Sequence, residues 1–108
     1  MDTKTREALE ASIKHWEQNV AAGHPGAAKV GPGNCALCEA FHEAHCDMCP
    51  VRLETGAAYC HRTPYSRTAE AIVRWRWAMG DPLAREAWRK AAQAELDFLI
   101  SLRPEVEA

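Results

Sequence analysis

Asp81-Pro82-Leu83-Ala84-Arg85-Glu86-Ala87-Trp88-Arg89-Lys90-Ala91-Ala92-Gln93-Ala94-Glu95-Leu96-Asp97-Phe98-Leu99 carries its own start signal and its own buried face. Asp81 suits a helix N-cap, and Pro82 suits the first helical position, where its missing N–H would have had no helical partner. Trp88, Ala91, Ala92, Leu96 and Leu99 recur at helical spacing, which predicts an α-helix from Pro82 to about Leu102, ahead of Pro104. Upstream, after Pro64, residues Ala69, Ile72, Val73 and the Ala and Trp residues through Met79 form a second apolar stripe, which Gly80 ends. Helices joined by so short a turn run antiparallel, so residues 66–103 are expected to form a helical hairpin.

Further out, Leu9, Ile13, Trp16 and Val20 are spaced four, three and four apart and define one face of a helix over residues 1–22. Asp2 or Thr3 can cap it, Gly23 and Pro25 stop it, and its apolar face is expected to cover the hairpin. Residues 23–34 hold four glycines and two prolines and read as an irregular linker. Between Cys35 and Cys60 no strand-like alternation persists, and Cys38–His45 and Pro50–Gly56 suit two short helices. The expected fold is therefore mainly α: one domain over residues 1–108, with a zinc-knuckle-like cysteine module (35–65) between an N-terminal helix and a C-terminal hairpin.

The chain has 108 residues, 47% hydrophobic, yet 20 of these are alanine and Leu, Ile, Val and Phe together number only 17. A core that thin calls for a staple, and the 5 cysteines, all between Cys35 and Cys60, supply the candidate. Cys35-x2-Cys38 and Cys46-x2-Cys49 are separated by seven residues, and ten more precede Cys60. A C-x2-C turn sets two thiolates on one side of a knuckle, and two such elements complete a tetrahedron around zinc with Zn–S bonds of about 2.3 Å. A structural site of this kind contributes on the order of 10 kcal/mol to folding, and its removal is expected to unfold the middle of the chain. Five thiols allow two ligand sets. Cys35, Cys38, Cys49 and Cys60 would staple the 49–60 segment at both ends and are favoured on that ground. Cys46 is the alternative fourth ligand, in the set Cys35, Cys38, Cys46 and Cys49. His42, His45 or His61 could replace a thiol. The competing cofactor is an iron–sulfur cluster: Cys49-Pro50 matches the Cys-Pro of bacterial ferredoxins, although the rest of that spacing is absent.

The ordered runs C-A-L-C, C-D-M-C-P-V and T-G-A-A-Y-C-H-R-T-P-Y, preceded by I-K-H-W-E-Q-N, resemble a group of small uncharacterised proteins encoded by bacteriophages and prophages. The likeness spans roughly Ile13 to Tyr65. It implies that Cys35, Cys38, Cys46, Cys49, Cys60, Pro50, Gly56, Pro64 and Tyr65 belong to one signature, that the metal module is shared and that the origin is phage. It carries no activity. With the small size, it implies an accessory protein, of the anti-defence type that blocks or redirects host machinery, acting in the cytoplasm of a bacterial host.

Charge is uneven. Residues 1–60 sum to -3, residues 61–90 to +4 and residues 91–108 to -3. Arg67, Arg74, Trp75, Arg76 and Trp77 concentrate arginine and aromatic side chains, the composition of macromolecular binding surfaces. Two tryptophans two residues apart diverge by about 200° on a helix, so one of them is expected to be exposed or at an interface. A protein partner is the primary reading. The alternatives are a nucleic-acid-binding regulator that lays this helix on phosphate, against which the net charge of -2 counts, and a redox or iron–sulfur protein.

No enzyme is expected. His45-Cys46 does not make a nucleophile and base, because neighbours on a helix point about 100° apart. Cys46-Asp47-Met48-Cys49 lacks the preceding H-x-E of zinc deaminases. No stretch of 18 apolar residues exists and the N-terminus is charged, so neither a membrane partner nor a secretory leader is expected, and reduced, metal-binding thiols follow from a cytoplasmic setting. The sequence assigns no oligomeric state.

Overall fold

The computed structural model describes residues 3–30, 64–78 and 80–103. These residues contain three α-helices and no strand: α1 (Thr3–Ala21), α2 (Tyr65–Trp77) and α3 (Pro82–Ser101), with a short 3-10 turn at Pro25–Ala27. The mainly helical expectation holds. The cysteine module and residues 31–34 of the linker lie outside the described residues. No helix among the described residues is long and apolar enough to cross a membrane.

α3 organises the rest, since α1 and α2 both pack on it and α2 also touches the 3-10 turn. The Asp81 carboxylate accepts the Leu83 N–H at 3.0 Å, satisfying one of the orphan donors of the first turn. Gly80, at φ +78, makes the reversal between α2 and α3 in a conformation that side chains with a Cβ rarely adopt. α3 buries Ala84, Trp88, Ala92, Glu95, Leu96 and Leu99. Ala91, expected in that set, is only half-buried, because it lies on the flank of α3 where a groove opens toward α2.

α2 buries Thr68, Ile72 and Trp75, spaced four and three apart. Val73, expected in this apolar stripe, is instead 48% exposed: it stands about 100° round the helix from Ile72. Thr68 can take an inward position because its hydroxyl donates to the Tyr65 carbonyl at 2.6 Å, leaving no unsatisfied polar group. α1 buries Leu9, Ile13 and Trp16 as expected, while Val20 is half-buried and Ser12 and Asn19 join the buried face.

One tryptophan from each helix meets at the centre. The Trp88 ring lies 6.1 Å from Trp75 at an interplanar angle of 22°, and 6.1 Å from Trp16 at 30°. Tyr65, at the head of α2, meets Trp16 edge-on at 6.2 Å. Large aromatic rings thus supply the apolar area that the scarce aliphatic residues do not.

Asn19 fastens this core to the chain beyond α1. Its carboxamide spans the Lys29 backbone, donating to the carbonyl at 2.9 Å and accepting the N–H at 2.9 Å, while the His15 ring bonds the same carbonyl at 2.8 Å. Its own backbone carbonyl, in the last turn of α1, accepts the Trp88 indole N–H at 2.9 Å. The expected linker is therefore not free at its start: Ala28 is 2% exposed and residues 28–29 are held against α1. Asn19→Ala leaves the Lys29 N–H without that partner and is expected to lower unfolding stability by about 1–3 kcal/mol, measured by urea denaturation. Wild-type stability in the variant would show the clasp to be dispensable.

At the far end of α3, Arg103 donates two hydrogen bonds to Glu10 of α1, at 2.8 and 2.7 Å. The Arg103 hydrogen bond holds the Glu10 carboxyl below its usual range, so the stabilisation is present above the ordinary glutamate pKa and is lost on acidification through the lowered one. Both side chains are almost half exposed, which keeps this contribution small.

Candidate partner-binding face

The expected metal ligands Cys35, Cys38, Cys49 and Cys60, and Cys46 as the alternative fourth, lie outside the described residues. Among the described residues no group of three or more His, Cys, Asp or Glu side chains could hold a metal ion.

The expected partner-binding residues are all placed, on α2, and they separate into two groups. Trp75 points inward, 3% exposed and stacked on Trp88, so it belongs to the core and not to an outer surface. Trp77 is 85% exposed. The divergence of about 200° between neighbours two apart is thus realised with one ring buried and one in solvent. Val73 shares Trp77's side of the helix at i, i+4 spacing, with Arg74 on one flank and Arg76 on the other. Leu83, 78% exposed, follows just past the turn at the start of α3.

The cations of this region differ in what they already hold. Arg89 grips the Glu86 carboxylate through two hydrogen bonds, which lowers the pKa of Glu86 and raises that of Arg89. Arg103 is committed to Glu10. The guanidinium groups of Arg67, Arg74 and Arg76, by contrast, make no ion pair or hydrogen bond among the described residues. Glu70 stands three residues after Arg67 and four before Arg74, within helical pairing distance of both, and pairs with neither.

A groove of about 370 Å³ runs between α2 and α3 beside these residues. Arg67, Glu70, Ala71 and Arg74 line it from α2, and Ala87, Lys90, Ala91 and Ala94 from α3. Arg76 and Trp77 lie outside its lining. The charge run of the sequence pointed to the arginines of this wall. Lys90 and the alanine floor could be placed only once the α2–α3 packing was known, although alanines at 87, 91 and 94, repeated at spacings of four and three, mark a shared flank of α3.

Compared with protein-family models, with curated proteins and with solved structures, the chain matches none.

Proposed function

We propose that this chain is a small accessory protein of the phage type that binds a protein partner through the outer face of α2, with a thiolate zinc centre in the 35–60 segment as a structural staple. The observation that carries the binding reading is Trp77, 85% exposed on a helix whose other tryptophan is buried, beside arginines that no carboxylate engages among the described residues. Solvating a tryptophan costs apolar surface that the fold does not recover, whereas a partner that covers it gains both that area and the neighbouring cations. The zinc reading is supported by the paired cysteine spacing, and an inhibitory role against host machinery by the phage resemblance.

The test is affinity capture from nuclease-treated bacterial extract, with the wild-type chain beside a Trp77→Ala, Arg74→Glu, Arg76→Glu triple variant. A protein retained by the wild type and lost by at least tenfold from the variant is the expected result, since all three substituted groups are exposed and their replacement leaves the core intact. A titration with salt then separates the two classes of macromolecule: a protein interface loses affinity gently, whereas a nucleic-acid complex loses orders of magnitude between low and moderate salt. Equal capture by both proteins would remove this face from consideration.

A further inference from the structure

We infer that the element received by this protein is an acidic amphipathic α-helix, seated in the groove between α2 and α3. The inference deepens the partner-binding reading and rests on it. The groove is lined on α2 from Arg67 to Arg74 and on α3 from Ala87 to Ala94. Each wall spans eight residues, seven rises of 1.5 Å or about 10 Å, two helical turns.

Three features select the occupant. First, the walls are helical, so their backbone N–H and C=O groups are already paired. An extended peptide laid here would bury its own backbone without partners, whereas a helix brings its hydrogen bonds with it. Second, the side chains facing the groove from Ala71, Ala87, Ala91 and Ala94 end at Cβ, which lets a third helix approach near the close limit of about 8 Å between axes. Third, the rim is cationic. Arg67 and Arg74 are a heptad apart on one side and Lys90 stands on the other, and none of the three makes an ion pair or hydrogen bond among the described residues. An amphipathic helix with small apolar residues at its centre and Glu or Asp along both edges satisfies all three.

The same charges argue against the other occupants. A second copy related by a two-fold axis would set Arg67 and Arg74 of one groove against those of the other, and like charges directly opposed disfavour that pairing. A nucleic-acid strand would meet Glu70 between the two arginines, and a floor of methyl groups with no aromatic ring on which to stack a base. Glu70 instead suits a lysine or arginine on the helix edge, which would fix its register.

The probe is a fluorescein-labelled, 16-residue, alanine-rich peptide with glutamates at i, i+4 and i+7 along its edges and one lysine between them, followed by anisotropy at low salt with the full-length protein. Its charge-reversed lysine counterpart and a 16-nucleotide oligothymidine serve as comparators. The acidic peptide is expected to bind with Kd below 1 mM, to gain helical circular dichroism on binding, and to shift the methyl NMR signals of Ala71, Ala87, Ala91 and Ala94. Arg67→Glu with Arg74→Glu is expected to weaken it at least tenfold, while Arg76→Glu with Trp77→Ala, outside the groove, changes it less than threefold. Absence of binding, equal binding of the lysine peptide, preferential binding of the oligothymidine, or self-association at the groove in sedimentation would each overturn the inference. If the groove tests fail but an Arg76→Glu, Trp77→Ala variant, which leaves the groove lining unaltered, still loses the protein captured from extract, the broader reading survives and only the groove assignment falls.

Discussion

Trp88→Ala is expected to abolish the cooperative thermal unfolding of the helical core, read by circular dichroism at 222 nm. Trp88 is 0% exposed, stacks on Trp75 of α2, meets the Trp16 ring of α1 at a tilt, and donates its indole N–H to α1, so one side chain joins all three helices. Truncation of a buried tryptophan costs about 3–5 kcal/mol through lost transfer free energy and the cavity left behind. Domains of this size hold only about 5–15 kcal/mol in total, and the aliphatic core here is too sparse to collapse into the gap. Trp88→Phe separates packing from hydrogen bonding. It retains an aromatic ring but removes the donor to the Asn19 carbonyl, which keeps a longer bond, at 3.3 Å, from the Ala22 N–H. A loss of about 1–3 kcal/mol follows, with the midpoint falling by at least about 5 °C. An alanine variant that melts like the wild type would show that the three helices do not depend on this ring.

The second large effect concerns the proposed zinc centre. Protein purified under reducing conditions is expected to carry one equivalent of zinc and to be colourless. Chelation is expected to raise the count of rapidly titrating thiols from one to five. A four-thiolate site is worth on the order of 10 kcal/mol to the segment that supplies its ligands. The helices are not that segment: Leu9, Ile13, Trp16, Ile72, Trp75, Ala84, Trp88, Ala92, Leu96 and Leu99 form one buried cluster contributed by α1, α2 and α3. Most of the helical signal should therefore survive chelation while residues 35–60 lose protection in hydrogen exchange. Cys60→Ser is expected to abolish stoichiometric zinc and Cys46→Ser to preserve it; the reverse outcome would transfer the fourth position to Cys46. Less than one equivalent of any metal would end the metal proposal, and a brown protein would replace zinc with an iron–sulfur cluster.

Helix starts and stops were legible because they depend on near neighbours. The Asp81-Pro82 cap, Gly80 at positive φ and Pro64 ahead of α2 all act within a few residues of where they stand. Faces were legible where apolar residues alone defined them, as at Leu9, Ile13 and Trp16. They were misread where a polar residue was satisfied internally: Thr68 joins the buried face because its hydroxyl finds a carbonyl within its own helix, while Val73 stands about 100° round from Ile72 and faces solvent. Asn19 was the larger omission. Its position, three residues after Trp16 on the buried side of α1, marked it as inward-facing, but its partners Lys29 and Trp88 lie 10 and 69 residues away, and periodicity carries no information over such distances. The same holds for the groove, whose arginines announced themselves as a charge run while its floor exists only through the packing of α2 on α3.

The clasp at Asn19 also bears on the thermodynamics of whatever residues 31–63 do. Lys29 is bonded to α1 at Asn19, Tyr65 packs on α1 at Trp16 one turn away, and α2 adjoins the 3-10 turn, so the chain leaves and rejoins the helical core at one place. Bringing together the ends of a free segment of that length costs about 3 kcal/mol of entropy from the logarithmic length dependence alone. Here the tryptophan core has already met that cost, and a ligand bound between the two ends need not supply it again. Shortening or exchanging the segment should accordingly be tolerated by the helices, which makes the three-helix core a base onto which different inserts can be grafted.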